Sequence, residues 1–456
     1  MSLWQSAVSQ AVADRIADGN PAHPAVRTDP YAAAVNRLAA SRHTLHLGLK
    51  PELSEPTTQE KELAATISET GLHTHEAAID ELAATDAVRD FSNSDPRFLV
   101  ECVGNFIKWY LQRGPRYRDW RKYPEKLAFG IIKYELPSDG RIALIGDWGT
   151  GMDDARAMLT DLLKKTRPMV IIHLGDIYYS GTPQEAKFNF LEAIDGCCRE
   201  AGLDHRLPVF NIPGNHDYYS GGLGFYEILD VTNSGDELQA ASYFCLRSRD
   251  QRWQFVGLDT GRHDHVPGLP FEPFYSAPRL DAGEVEWAAD KIGKFPGQTI
   301  LLTHHQLFSA RSALNGTLSL RPADRNESLL QAFAPLFSKI AVWFWGHEHN
   351  LALYKRGLYG LRKGRLLGCS AFELSAGGDN KPLFEDVTYD SPEVQLGTSD
   401  QWLNHACAVI DLGEETVDYF EFPSWGDGGR PDDALLTVRA SESILGERRS
   451  TAGRWP

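Results

Sequence analysis

Short apolar runs, each broken off at a glycine or a polar cluster, constrain this chain more than any other feature of its sequence. From Lys126 onward such runs occupy 129–134, 141–145, 169–174, 209–212, 254–258, 299–303 and 340–345. They are too short for typical helices, rich in β-branched and aromatic residues, and separated by helical or loop segments. This layout predicts an α/β fold in which polar residues gather where strands end. Four later runs, at 351–356, 365–369, 406–411 and 416–422, predict antiparallel strands that complete the sheets.

Residues 1–122 read differently. They are rich in Ala, Leu, Glu and Arg, and helical periodicity runs through 31–46, 58–70, 75–85 and 96–111, which predicts an all-α N-terminal domain of unknown role. Gly114, Pro115 and the charged aromatic stretch 116–124 then mark a boundary. The catalytic unit is expected over 123–425, followed by a Gly-, Pro-, Asp- and Arg-rich tail, 426–456, that should be loosely held. His43, His46, His73 and His75 have no acidic or Cys partner at ligand spacing and are read as solvated helix positions.

Charge narrows the function classes. Acidic residues outnumber basic ones by 62 to 46, and the resulting −16 opposes generic binding to a nucleic-acid backbone. The apolar run 340–345 is far below the ~20 residues needed to cross a bilayer, so no membrane span is expected. Asp14 and Arg15 interrupt the N-terminus before a secretory core could form, which predicts a cytoplasmic protein. The six cysteines are scattered without CxxC spacing, as reduced, buried thiols would be.

Five strand ends carry side chains of the metal-ligand type: Asp147 in GDWG, Asp176 and Tyr179 in GDIYY, Asn215 and His216 in GNHD, His304 and His305 in LLTHH, and His347 and His349 in GHEH. Glycine stands directly before the first polar residue in four of them, where a chain must turn tightly and approach an ion. One such end means little, but five in order are hard to obtain by chance. His and Asp donors suit Mn, Fe and Zn, and no thiolate occurs in any of the five.

In this order the motifs resemble the calcineurin-like metallophosphoesterases, and within them the purple acid phosphatase branch, whose first motif has glycine where most other members have histidine. Here that position is Gly149. The resemblance implies a four-layer α/β/β/α sandwich of two mixed sheets and a dinuclear centre: Asp147, Tyr179 and His349 on one ion, Asn215, His304 and His347 on the other, Asp176 bridging. It further implies hydrolysis of small phosphate esters by metal-bound hydroxide, with His216 delivering a proton to the leaving group. Monoesters are favoured over diesters such as nucleotides or cyclic nucleotides. A tyrosinate at 179 would select Fe(III) beside a divalent Fe, Mn or Zn, with a di-Mn centre as the alternative. His305, Arg262 and His263 are candidate substrate contacts, with surface positions equally open to them. Asp217 is read as an orienting group for an imidazole or as a cap. The N-terminal helices are candidates for self-association, or for being the working part of an assembly or signalling protein.

Overall fold

The computed structural model describes residues 90–91, 101–102, 105–106, 114–264, 278–314, 322–376, 382–390, 394–427, 429–446 and 448–449. The helices expected at 31–46, 58–70 and 75–85, and with them most of the N-terminal domain, lie outside the described residues.

One seven-stranded sheet is built from β1 (Ile131–Leu136), β5 (Phe244–Ser248), β6 (Trp253–Leu258), β7 (Gln298–Thr303), β8 (Ile340–Trp345), β10 (Gly364–Leu367) and β9 (Leu351–Leu353), in that spatial order. The other runs β16 (Arg448–Arg449), β15 (Thr437–Ser443), β14 (Thr416–Phe422), β13 (His405–Asp411), β2 (Arg141–Ile145), β3 (Val170–His173) and β4 (Val209–Asn211). A separate two-stranded ribbon pairs β11 (Thr398–Ser399) with β12 (Trp402–Leu403). Strands β6, β7, β8 and β10 are mutually parallel, as are β2, β3 and β4, while β13 joins β2 antiparallel. Both seven-stranded sheets are therefore mixed.

Alternation along each strand sends side chains to two cores. Ile142, Leu144, Ile172 and Phe210 of one sheet meet Phe255, Ile300, Leu302 and Phe344 of the other in a shared interior. The opposite faces are covered by helices. Ile145 and Ile171 pack under α1 (Asp153–Thr166) and α2 (Glu192–Glu200), and Trp343 and Trp345 lie in the cluster that holds Trp287 and Ile292 of α4 (Ala282–Lys294). That is an α/β/β/α sandwich. With both faces covered, β8 is apolar throughout, and its IAVWFW run is fully buried. Helix α1 carries Asp153 and Asp154 in its first turn and Lys164 and Lys165 in its last, which suits its dipole.

One reading of the sequence needs correction among the described residues. Within the tail expected to be loosely held, Thr437–Ser443 is strand β15, paired along β14, with Ala440 and Ile444 in the inter-sheet core. Glu442 on β15 crosses to the other sheet, where Arg365 reaches it through Nε at 2.6 Å and Nη2 at 2.7 Å and Lys363 Nζ at 2.9 Å. The stretch 116–124, expected to mark a boundary, is bonded to the residues that follow it. Trp120 donates its backbone N–H to the Tyr243 hydroxyl and its indole N–H to the Gly283 carbonyl, and Tyr117 donates its hydroxyl to Glu284. All six cysteines are buried and unbridged. Among the described residues, no helix is long and apolar enough to cross a membrane.

Candidate metal centre

Strands β2, β3 and β4 are neighbours in one sheet and β7 and β8 in the other, so the five polar strand ends meet along a single edge of the sandwich. The backbone is shaped for this convergence. Asp147, Asp176 and His347 adopt left-handed φ values of 57°, 70° and 68°, which turn each side chain back across the strand ends. Gly214 is fixed by the same crowding, since a Cβ there would lie 2.0 Å from Asp176 Oδ1.

The donors form two nests. In one, Asn215 Oδ1 lies 3.1 Å from His304 Nε2 and 2.9 Å from His347 Nδ1. In the other, Tyr178 Oη is 2.9 Å from Asp147 Oδ1 and 3.0 Å from His349 Nε2, and His349 Nε2 is 3.4 Å from Asp147 Oδ1. Asp176 joins them: its Oδ2 is 3.3 Å from His304 Nε2 and 3.4 Å from the Tyr178 hydroxyl, while its Oδ1 accepts the His216 N–H at 2.9 Å. Every one of these side chains is buried.

Asp176 and His304 stabilise each other's charged forms. Burial alone would raise the Asp176 carboxyl, yet His304 and His216 hold it well below the ordinary range. Burial opposes a charge on His304, and Asp176 outweighs that opposition, lifting the imidazole to about 9. Two carboxylates, an amide oxygen, a phenol and imidazoles form a mixed O and N donor set without sulfur, which fits hard or borderline divalent and trivalent cations.

The hydroxyl in this arrangement is that of Tyr178, not Tyr179. Tyr178 N–H donates to the Gly149 carbonyl at 2.9 Å, and Gly149 pairs with Ile177 as a short parallel bridge. A Cβ at 149 would come within 2.6 Å of Ile177 Cα, so the first motif can carry no side chain there, and the backbone that passes this close turns the Tyr178 phenol to the donors. Tyr179 instead stacks on Phe91, with ring centroids 4.6 Å apart, and its hydroxyl accepts the Phe91 N–H.

His216, on the short helix α3 (Asn215–Tyr219), hydrogen-bonds through Nδ1 to the Tyr179 carbonyl at 2.5 Å, and its Nε2 lies 3.9 Å from Asp176 Oδ2. Burial lowers its pKa. Asp217 serves the backbone, accepting from Gly214 N at 2.8 Å and Asp176 N at 3.1 Å, with its own pKa raised by burial and then by Asp176. His305 lies at the centre, its ring 4.3 Å from that of His347, its Nδ1 on Thr260 Oγ1, and its pKa drawn down to about 4 by burial. Arg262 and His263 are not brought there. Both face Asp281, which precedes α4, and Arg262 also stacks over Tyr117 at 4.1 Å. Sequence reasoning missed Tyr178, Phe91 and Cys102, whose sulfur lies 3.8 Å from His216 Nδ1.

Asp154, Glu373 and His405 form another buried acid and imidazole group. Here Asp154 Oδ2 already accepts from His405 Nε2 at 2.9 Å and from the backbone N–H groups of Trp425 and Gly426. Backbone donors aimed at that oxygen oppose a cation, so this group fastens the chain after β14 to the start of α1.

Comparison with known proteins adds the following. The family model for calcineurin-like phosphoesterases matches residues 140–351. The chain is 25% identical over 182 residues to the 3',5'-cyclic adenosine monophosphate phosphodiesterase CpdA of Haemophilus influenzae, a stretch covering 40% of this chain and 54% of that one, about half its length. Among solved structures, PhoD has a TM-score of 0.45 at 10% identity over 70% of this chain and 73% of its own. GAP50, the anchor in the inner membrane complex of Plasmodium, has a TM-score of 0.39 at 11% identity over 68% of this chain and 90% of its own.

Proposed function

From the match of residues 140–351 to the family model for calcineurin-like phosphoesterases, we infer that the protein is a metal-dependent hydrolase of small phosphate esters. The observation that carries this reading is the pair of three-donor nests joined by one carboxylate, Asp176. Asn215, His304 and His347 would hold one cation, Asp147, Tyr178 and His349 the other, with Asp176 shared. When bound, two cations supply charge neutralisation at the phosphoryl oxygens and make water acidic enough to attack near neutral pH.

The chain's own residues supply the rest. The Tyr179 carbonyl accepts from His216 Nδ1, which fixes the tautomer and leaves Nε2 to carry a proton toward the leaving oxygen. His305 stands beside His347 where a phosphoryl oxygen could be met. Monoesters are the favoured substrates from the motif resemblance, and diesters are the second reading, supported by the name of the Haemophilus relative. Metal analysis with a panel of chromogenic mono- and diesters tests both. An inactive metal-loaded protein would end the hydrolase reading.

His216→Ala should keep both cations and lower kcat by roughly 10² for esters with poor leaving groups, with a smaller loss for nitrophenyl esters, which need no proton. Equal losses across leaving groups would remove the proton-delivery role.

For the metals, Fe(III) beside a divalent ion is favoured, since a phenolate is a hard anionic donor. Protein loaded with iron under air should show a tyrosinate charge-transfer band that vanishes in Tyr178→Phe and persists in Tyr179→Phe. The reverse pattern would reassign the phenolate to Tyr179.

A further inference from the structure

Two residues far upstream of the five motifs, Phe91 and Cys102, contact Tyr179 beside the centre. Phe91 donates its N–H to the Tyr179 hydroxyl at 3.1 Å, stacks on the Tyr179 ring with 15° between planes, and accepts the Glu373 N–H at 3.1 Å. Cys102, 1% exposed, directs its thiol to the Tyr179 carbonyl at 3.3 Å. The neighbouring Glu101 carbonyl accepts from the Ser180 hydroxyl at 3.2 Å. Glu185 takes the N–H groups of Tyr179 and Ser180. Tyr179 is thus held at its N–H, its carbonyl, its ring and its hydroxyl.

What Tyr179 does reach is His216. Its carbonyl is the hydrogen-bond partner of Nδ1, and the imidazole lies between the rings of Tyr178 and Tyr219, with centroids at 4.7 and 4.8 Å. Turning the ring over would place a carbon against that carbonyl, so the position of one backbone oxygen decides which edge of the imidazole faces the centre. The carbonyl has two acceptor sites, one used by His216 and one by the Cys102 thiol. Burial, and after it the Glu185 carboxylate, keeps that thiol protonated and able to donate.

We propose that Phe91 and Cys102 are positioning residues that clamp Tyr179 from the N-terminal side, so that its carbonyl holds His216 with Nε2 turned toward the space between the two donor nests. The proposal rests on the assignment of His216 as the proton donor. Its consequence is that Phe91 and Cys102, far upstream of the five motifs, take part in the site.

The test uses the full-length chain and two readouts. In metal-free, ¹⁵N-histidine-labelled protein, the hydrogen-bonded Nδ1–H of His216 is assigned by its loss in His216→Ala. Cys102→Ala and Phe91→Ala should shift this signal and speed its exchange with water by about tenfold, while Cys102→Ser, which keeps a donor, should restore it. With metal-loaded protein, Cys102→Ala should lower kcat on an alkyl phosphate about fivefold and on a nitrophenyl ester less than about twofold, KM being unchanged, and should add nothing in a His216→Ala background. An unchanged Nδ1–H signal in both alanine variants, or losses that add fully to that of His216→Ala, would overturn the proposal. If wild type turns over no phosphate ester, it is the hydrolase reading that fails, and the spectra still decide the clamp.

Discussion

Asp176→Asn should lower phosphate-ester turnover at least about a thousandfold and weaken retention of both cations together. The carboxylate has three duties at once: Oδ1 accepts the His216 N–H, while Oδ2 faces His304 Nε2 in one nest and the Tyr178 hydroxyl in the other. An amide of the same shape has one acceptor oxygen, so it either gives up the His216 N–H or turns an NH₂ group into the space between the nests. It also removes the charge that offsets two cations held close together. Metal content by emission spectroscopy, with near-ultraviolet circular dichroism as the check on folding, reads the outcome. A folded variant with wild-type metal content and rate would refute the shared-ligand assignment.

Glu442→Gln should destabilise the fold by about 3–5 kcal/mol, lowering the thermal midpoint by roughly 5–10 °C. Glu442 accepts from Arg365 through both oxygens, from Lys363, and from the Tyr419 hydroxyl at 2.8 Å, all within the interior between the sheets. Arg365 also donates to the Tyr354 carbonyl at 2.7 Å and to Asp390 at 2.9 Å, so it cannot follow a lost partner into solvent. The isosteric amide leaves a buried guanidinium and ammonium short of one negative charge. A loss under about 1 kcal/mol would show that Asp390 and the carbonyls compensate. The pH dependence has a definite sign. Burial would raise the Glu442 carboxyl, but Arg365 and Lys363 draw it down to about 2, below its unfolded value of 4.5. Its contribution is therefore complete above about 4.5 and is lost as pH falls through about 2. Glu442→Gln should flatten the stability profile across that window.

The alternation of apolar runs and polar ends made the sandwich readable, because strands buried on both faces must be apolar throughout and break abruptly. Strands without that signature were missed. FCLRS of β5 pairs between β1 and β6, and TVRASES of β15 buries a glutamate that only a cross-sheet arginine and lysine make tolerable. The donors at 147, 176, 215, 304, 347 and 349 were legible as residue types at strand ends, and the structure brings them together. The sequence pointed to Tyr179, whereas the hydroxyl beside Asp147 and His349 is that of Tyr178, because spacing from Asp176 says nothing of how the chain turns after a left-handed residue. Gly149 held the missing clue, since the close approach of Ile177 that it permits is what aims Tyr178. Nothing local could reveal Phe91 or Cys102, whose contacts with Tyr179 and His216 span 77 to 114 residues of sequence.

The order of strands in the second sheet bears on how the protein is made. Strand β2 lies between β3, which follows it closely, and β13, whose last residue is Asp411. A nascent chain that has completed β2, β3 and β4 therefore presents the IALI edge with its ladder unpaired until β13 leaves the ribosome. At about 5–20 residues per second, the stretch from Asn211 to Asp411 takes roughly 10–40 s. An apolar, unpaired edge open for so long invites pairing with other nascent chains. Yield of soluble protein should thus respond more to translation rate and to chaperones that shield extended segments than the stability of the finished sandwich would suggest.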